Sequence, residues 1–258
     1  MTEENIMPTD EEPIKIICGD CLEEMKKIPD NSVDLIVTDP PFNISKKGAK
    51  ISRKSMKLTS IKRNSDIKLD FGEWDRFENR GKYHEFIEKI FVELIRIMKN
   101  KAWCYIWFDK FETGFLVDLC YKYNMNPKTI IVWHKTNPAP QFRKVNWLSC
   151  TEFCFVFSKG NCKMKNYGYI KDMHTVWNHV NSSIYGKTEH PTEKPVELLS
   201  KMIKTCSNSN ELVLDCFLGS GTTAVACKQL GRKCIGIEIS PEYIEMAKKR
   251  LAQEVLKC

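Results

Sequence analysis

The chain has 258 residues, 42% of them hydrophobic, and a formal net charge of +7. That hydrophobic share supports a packed core and argues against wholesale disorder, and the length suits one domain with insertions. No apolar run approaches the ~20 residues that cross a bilayer, and residues 1–12 are polar and acidic, unlike a signal peptide, so a cytoplasmic protein without a membrane partner is expected.

Residues 1–13 read as a flexible tail, and 14–258 as the folded domain. A β-branched run at 14–17 predicts a strand, broken by Gly19-Asp20 before a helical turn or two over 21–27. Residues 33–37 (VDLIV) read as a buried strand, stopped by Asp39-Pro40-Pro41. A basic segment follows over 46–70, with Lys46, Lys47, Lys50, Arg53, Lys54, Lys57, Lys62, Arg63 and Lys68 against the single acid Asp66. It lacks a period and is expected to be a mobile loop ending near Glu73-Trp74-Asp75. Residues 83–98 place Phe86, Ile90, Phe91, Leu94, Ile95 and Met98 at helical spacing. Strands are predicted at 102–107, 129–133 and 151–157, with a helix at 111–121. Residues 159–189 turn polar and aromatic without a clear period and read as an irregular insert outside the core. Helices at 195–206, 222–230 and 241–255 then alternate with strands at 212–214 and 234–237. Such alternation implies an α/β fold with a doubly wound, mostly parallel sheet covered on both faces.

Twelve cysteines without a secretory signal indicate a reducing compartment. Cys18 and Cys21 have C-x-x-C spacing, but no second pair matches it; Cys150 and Cys154 are C-x-x-x-C within an apolar run. The cysteines therefore read as small core residues, and no metal is expected.

Two segments carry chemistry. In the first, Leu214-Asp215-Cys216-Phe217-Leu218-Gly219-Ser220-Gly221-Thr222-Thr223, a buried strand enters a glycine turn and then a helix N-terminus. Glycines admit a ligand close to the backbone, and free N–H groups at the helix start hold anionic groups. Glu238 follows at the end of the next strand, where nucleotide-binding α/β proteins keep a carboxylate for ribose hydroxyls. A P-loop is excluded because no Gly-Lys-Ser/Thr follows, whereas Ala224 in place of a third glycine departs only mildly from a dinucleotide fingerprint. A nicotinamide oxidoreductase therefore stays open as an alternative.

The second is Thr38-Asp39-Pro40-Pro41-Phe42-Asn43, at the carboxyl end of a predicted strand, where ligands of open α/β sheets sit. The amine of a purine is a poor nucleophile because its lone pair is delocalised into the ring. Asp39 can accept one of its N–H groups and the Pro40 carbonyl the other, favouring a tetrahedral nitrogen as a methyl group arrives. The prolines, Pro41 included, stiffen this backbone and bring no competing N–H, and Phe42 offers a face for a flipped base.

The pairing of D-P-P-F near one end with F-L-G-S-G-T-T near the other resembles the S-adenosylmethionine-dependent DNA amino-methyltransferases in their circularly permuted, β-type arrangement. His190-Pro191-Thr192-Glu193-Lys194-Pro195, Gly19-Asp20-Cys21 and Trp133-His134-Lys135-Thr136-Asn137-Pro138 are similar to further segments of that family, in family order. The resemblance spans about residues 14–252 and implies the methyltransferase (Rossmann-like) fold with a small target-recognition insert at 159–189. It implies Asp39, Pro40, Pro41 and Phe42 at the target base, Asp39 also reaching the cofactor. Phe217, Gly219, Ser220 and Gly221 would cradle S-adenosylmethionine, with Thr222, Thr223 and Lys194 near its carboxylate. Asp215 is expected beside its amino group, Glu238 on the ribose, and Asp20 with Cys21 near the adenine. The basic segment (Lys46, Lys47, Arg53, Lys54) together with Lys135, Arg143 and Lys144 would face duplex DNA.

The implied activity is methylation of adenine N6 in DNA. Cytosine N4 is the nearest alternative, since those enzymes more often carry Ser where Asp39 stands, and RNA is a further alternative substrate. The resemblance allows a homodimer and a cognate restriction endonuclease as partner.

Overall fold

Apolar residues on the strands point alternately to two cores, which sets the architecture. In the computed structural model, residues 6–43, 50–51, 67–68, 76–138, 147–169, 172–179 and 193–253 are described. Strand β1 (Ile14–Cys18), helix α1 (Cys21–Met25) and strand β2 (Val33–Thr38) come first, followed by the short strands β3 (Lys50–Ile51) and β4 (Ile67–Lys68). Next are α2 (Arg80–Ile97), β5 (Met98–Phe108), α3 (Thr113–Lys122), β6 (Asn126–Lys135), β7 (Thr151–Ser158) and β8 (Val176–His179). The chain continues through α4 (Val196–Cys206), β9 (Leu212–Asp215), α5 (Thr222–Leu230), β10 (Lys233–Glu238) and α6 (Pro241–Gln253).

Leu35 and Val37 of β2, with Trp103, Tyr105 and Trp107 of β5, pack into the core beneath α4, α5 and α6. Their neighbours Ile36, Cys104, Ile106 and Phe108 pack into the opposite core with α1, α2 and α3. Period-two alternation with apolar side chains on both faces is what a doubly covered sheet requires. The strand order is β1-β10-β9-β2-β5-β7-β6-β8. All neighbours are parallel except β7, which runs antiparallel to both β5 and β6. The expected mostly parallel α/β sheet is therefore present, and it has a direct functional geometry. After β2 the chain crosses to β5 on one side, and after β9 it crosses to β10 on the other. The crevice above the β2–β9 pair is thus a topological switch point, the place where ligands of such sheets bind.

Two expectations change. The insert at 159–189 is not wholly outside the core: β8 pairs with β6, and Trp177 is buried, its Nε1 donating to the His174 carbonyl. Four residues amid polar neighbours carry too little period to announce a strand. Met98 begins β5 rather than ending a helix. The basic segment lies largely outside the described residues, which include only the antiparallel β3–β4 pairing within it. Residues 1–5 of the tail and Val255 also lie outside. Among the described residues, no helix is long and apolar enough to cross a membrane.

Helix α5 is bracketed by two left-handed glycines, Gly221 at φ 85° and Gly231 at φ 66°. At Gly221 a Cβ would stand 2.6 Å from the Ala247 methyl on α6. Gly221→Ala therefore combines left-handed strain with overpacking, an expected cost of about 2–4 kcal/mol. Thermal unfolding should show a melting temperature lower by about 5–15 °C.

Candidate active site

Four strand ends converge on one cavity of about 340 Å³. Asp20 follows β1, Asp39 follows β2, Asp215 closes β9 and Glu238 closes β10; all four line it. Cys21, Pro41, Lys194, Phe217, Gly219, Ser220, Thr222 and Thr223 line it as well. Pro40, Phe42 and Gly221 do not. Pro40 is buried behind its neighbours, and Phe42 packs against the core under α4. At Gly221 the close neighbour of an added Cβ would be Ala247 on α6.

Local bonding explains the arrangement. Asp20 caps α1, accepting from the amides of Leu22 at 2.9 Å and Glu23 at 3.2 Å, which fixes the turn after β1. Asp215 is buried, accepting from Thr38 Oγ1 at 3.0 Å, Thr223 Oγ1 at 2.6 Å and the Phe217 amide at 3.1 Å. Burial pushes its carboxyl up to about 6, against the pull of these donors. Glu238 accepts from the Gly219 amide at 2.9 Å and the Ser240 amide at 2.8 Å, tying the glycine loop to β10. Its carboxyl is also raised by burial.

Lys194 does something the sequence did not indicate. Its ammonium is buried between two carboxylates, 2.5 Å from Asp39 Oδ2 and 3.1 Å from Glu152 Oε2. It also lies 4.9 Å from the Trp107 ring centre. Lys194, expected near a cofactor carboxylate, lines the cavity and pairs with the Asp-Pro-Pro-Phe carboxylate, because two buried acids need a counter-charge. Burial raises the Asp39 carboxyl and Lys194 only partly offsets that. For Glu152 burial acts the same way, but Lys194 and Lys135 together outweigh it and hold the group below its ordinary value. Lys135, expected at DNA, pairs with Glu152 Oε1. Lys46, Lys47, Arg53, Lys54, Arg143 and Lys144 lie outside the described residues.

Several cavity residues escaped the sequence reading. Ile239 presents an exposed apolar side chain just after Glu238, and Phe77, Phe86 and Tyr243 add ring surface. Arg250 of α6 braces the glycine loop, donating to the Ser220 carbonyl at 2.8 Å and Thr222 Oγ1 at 3.1 Å while pairing with Glu193 at 3.0 Å. The signal for Glu152 was available: a lone acid in the apolar run Thr-Glu-Phe-Cys-Phe-Val-Phe.

Asp20, Asp39, Glu193, Asp215 and Glu238 line the cavity against Lys194 and Arg76, so its walls lean acidic. Acidic walls, glycine-lined backbone and aromatic surface suit a nucleoside bearing positive charge.

Comparison with known proteins gives the same direction. A model of DNA methylases of the N6/N4 group matches residues 33–249. The type II methyltransferase M.HinfI of Haemophilus influenzae is 32% identical over 92% of this chain and 68% of its own length. M.HpaI of Haemophilus parainfluenzae is 31% identical over 93% of this chain and 74% of its own. The crystal structure of an M1.HpyAVI–SAM complex superposes with a TM-score of 0.66 at 28% identity, covering 92% of this chain and 98% of that one. The cytosine-N4-specific PvuII DNA methyltransferase shares the fold, with a TM-score of 0.72 at 17% identity over 98% of this chain and 94% of its own. The chain belongs to the N6/N4 family of DNA methylases.

Proposed function

We propose that this methylase transfers a methyl group from S-adenosylmethionine to the N6 amino group of adenine in duplex DNA. The observation that carries this reading is the Asp39 carboxylate at the switch point. Oδ2 is held by Lys194, and Oδ1 is sealed from solvent with no hydrogen-bond partner among the described residues. A buried acceptor without a donor is costly, and a target amine would satisfy it.

The acidic cavity fits the cofactor, whose sulfonium and ammonium are cationic. Asp215 and Glu238 would receive its polar groups, and Ile239 with the ring surfaces would cover its adenine. When bound, it supplies an activated methyl group. The chain's residues then do the rest. Asp39 holds an N–H of the amine, so its lone pair turns from the ring toward the methyl. Thr38 and Thr223 hold Asp215 in place, and Lys194 fixes the orientation of Asp39. Adenine is favoured over cytosine because a carboxylate, rather than a hydroxyl, stands at position 39. The basic residues between β2 and α2 would neutralise phosphates.

Incubation with labelled S-adenosylmethionine and mixed-sequence duplex DNA, followed by digestion to nucleosides and mass analysis, should yield N6-methyladenine. N4-methylcytosine as the product would overturn the base assignment and keep the family chemistry.

A further inference from the structure

Glu152 lies at the start of β7, one strand beyond β5, and has no place in the cavity wall. It is nevertheless built into the reacting carboxylate. Oε2 stands 3.1 Å from the Lys194 ammonium, and Oε1 is paired with Lys135 at the end of β6. Lys194 in turn reaches Asp39 Oδ2 at 2.5 Å. The row Lys135–Glu152–Lys194–Asp39 therefore alternates in charge and runs across three strands into the site. A long lysine side chain held by a single acid would swing between both oxygens of that acid. A second anchor on the far side prevents this. The Trp107 ring beneath the ammonium adds a third constraint.

We propose that Glu152 is a positioning residue for methyl transfer: it holds the Lys194 ammonium on Asp39 Oδ2 and thereby reserves Oδ1 for the target amine. This role rests on Asp39 meeting that amine, as proposed above. In the step itself the exocyclic nitrogen forms its bond to the methyl carbon, and the electrons of the broken carbon–sulfur bond stay on sulfur. The proton that the nitrogen must lose passes to Asp39 Oδ1 and then to water. An ammonium free to visit Oδ1 would compete for the same lone pair and misplace the amine.

The charged and titratable groups facing Asp39 are Lys194 before α4, Glu152 on β7, Lys135 on β6, Asp215 on β9 and the Cys154 thiol on β7. Removing the Glu152 charge takes away a neighbour that disfavours the ionised form of Asp39. The acid limb of the pH–rate profile should therefore move to lower pH.

Single-turnover methyl transfer to unmodified mixed-sequence duplex DNA is to be measured from pH 5 to 9 for wild type, Glu152→Ala, Glu152→Gln and Asp39→Asn. S-adenosylmethionine affinity is to be read by calorimetry on each. Glu152→Ala should lower the rate about 10–100-fold, the scale set by misplacing a reacting group. Glu152→Gln still offers Lys194 an acceptor, so it should recover most of that loss and show the shifted acid limb. Cofactor affinity should stay within about threefold in both, since uniform binding is untouched. A wild-type rate and pH profile in Glu152→Ala would overturn the role. So would a Glu152→Gln enzyme as slow as the alanine variant with an unmoved acid limb, which marks a merely structural residue. Should Glu152→Ala fail to bind cofactor, the glutamine variant alone decides by the same criteria. Full activity in Asp39→Asn would instead remove the reading of Asp39 itself, and the Glu152 role with it.

Discussion

Asp39→Ala should reduce methyl transfer by about 10²–10⁴-fold, the range for losing a group that handles a proton and developing charge together. Two features make this loss large. Asp39 Oδ1 is a buried acceptor without a donor among the described residues, and the neighbouring Pro40 has no side chain able to take over a proton. Binding of S-adenosylmethionine should change only a few-fold, because most of the expected contacts rest on the ends of β1, β9 and β10. The comparison is single-turnover transfer of labelled methyl to duplex DNA, with calorimetric binding alongside. An alanine enzyme that keeps more than a tenth of the wild-type rate would show that another group meets the amine.

Lys194→Met should be the most destabilising single change in the site. Methionine keeps a stem of similar shape over Trp107 but removes the ammonium from between Asp39 and Glu152. Breaking a buried ion pair from one side costs roughly 3–5 kcal/mol, and the melting temperature of a chain this size should fall on the order of 10 °C. The pH dependence follows from the same geometry. In wild type, burial already raises the Asp39 carboxyl, and Lys194 opposes that rise. Without Lys194, the Asp39 carboxyl is raised further above its unfolded value of about 3.9, and Glu152 loses part of the pull that holds it down. A carboxyl raised in the folded state favours folding below its unfolded value, and that advantage is lost as pH rises through the folded value. The deficit relative to wild type should therefore be larger at pH 8 than at pH 5. A deficit that does not depend on pH would mean that lost packing, not charge, is responsible.

The parts of the molecule legible in the sequence are those whose signals are local. Helix α5 runs over Thr222–Leu230 as expected because both of its ends are glycines in left-handed conformation, and each is readable where it stands. The strand ends carrying Asp39, Asp215 and Glu238 were legible because an apolar run stops abruptly at each. Partnerships across the sheet were not. Lys135 reads as one more basic residue near a proline-rich turn until β7 brings Glu152 beside it. Lys194 reads as belonging to the helix start that follows it, yet its partner lies 155 positions away. Gly221 shows the same limit from the other side. Its conformation could be anticipated, but the need for it comes from Ala247 on a helix packed across the loop.

The adjacency of β2 and β9 also has a consequence in time. Thr38 and Asp215 touch across that pair although 177 positions separate them. A ribosome adding 5–20 residues per second needs on the order of ten seconds or more between the two. Through that interval the strand that presents the reacting carboxylate has no neighbour on its β9 side, and three of the four strand ends that wall the cavity are not yet paired. Closing so long a loop makes this a late and slow event in folding. A partly synthesised chain therefore has neither half of the site in usable form, and activity appears only once the sheet has closed across its middle.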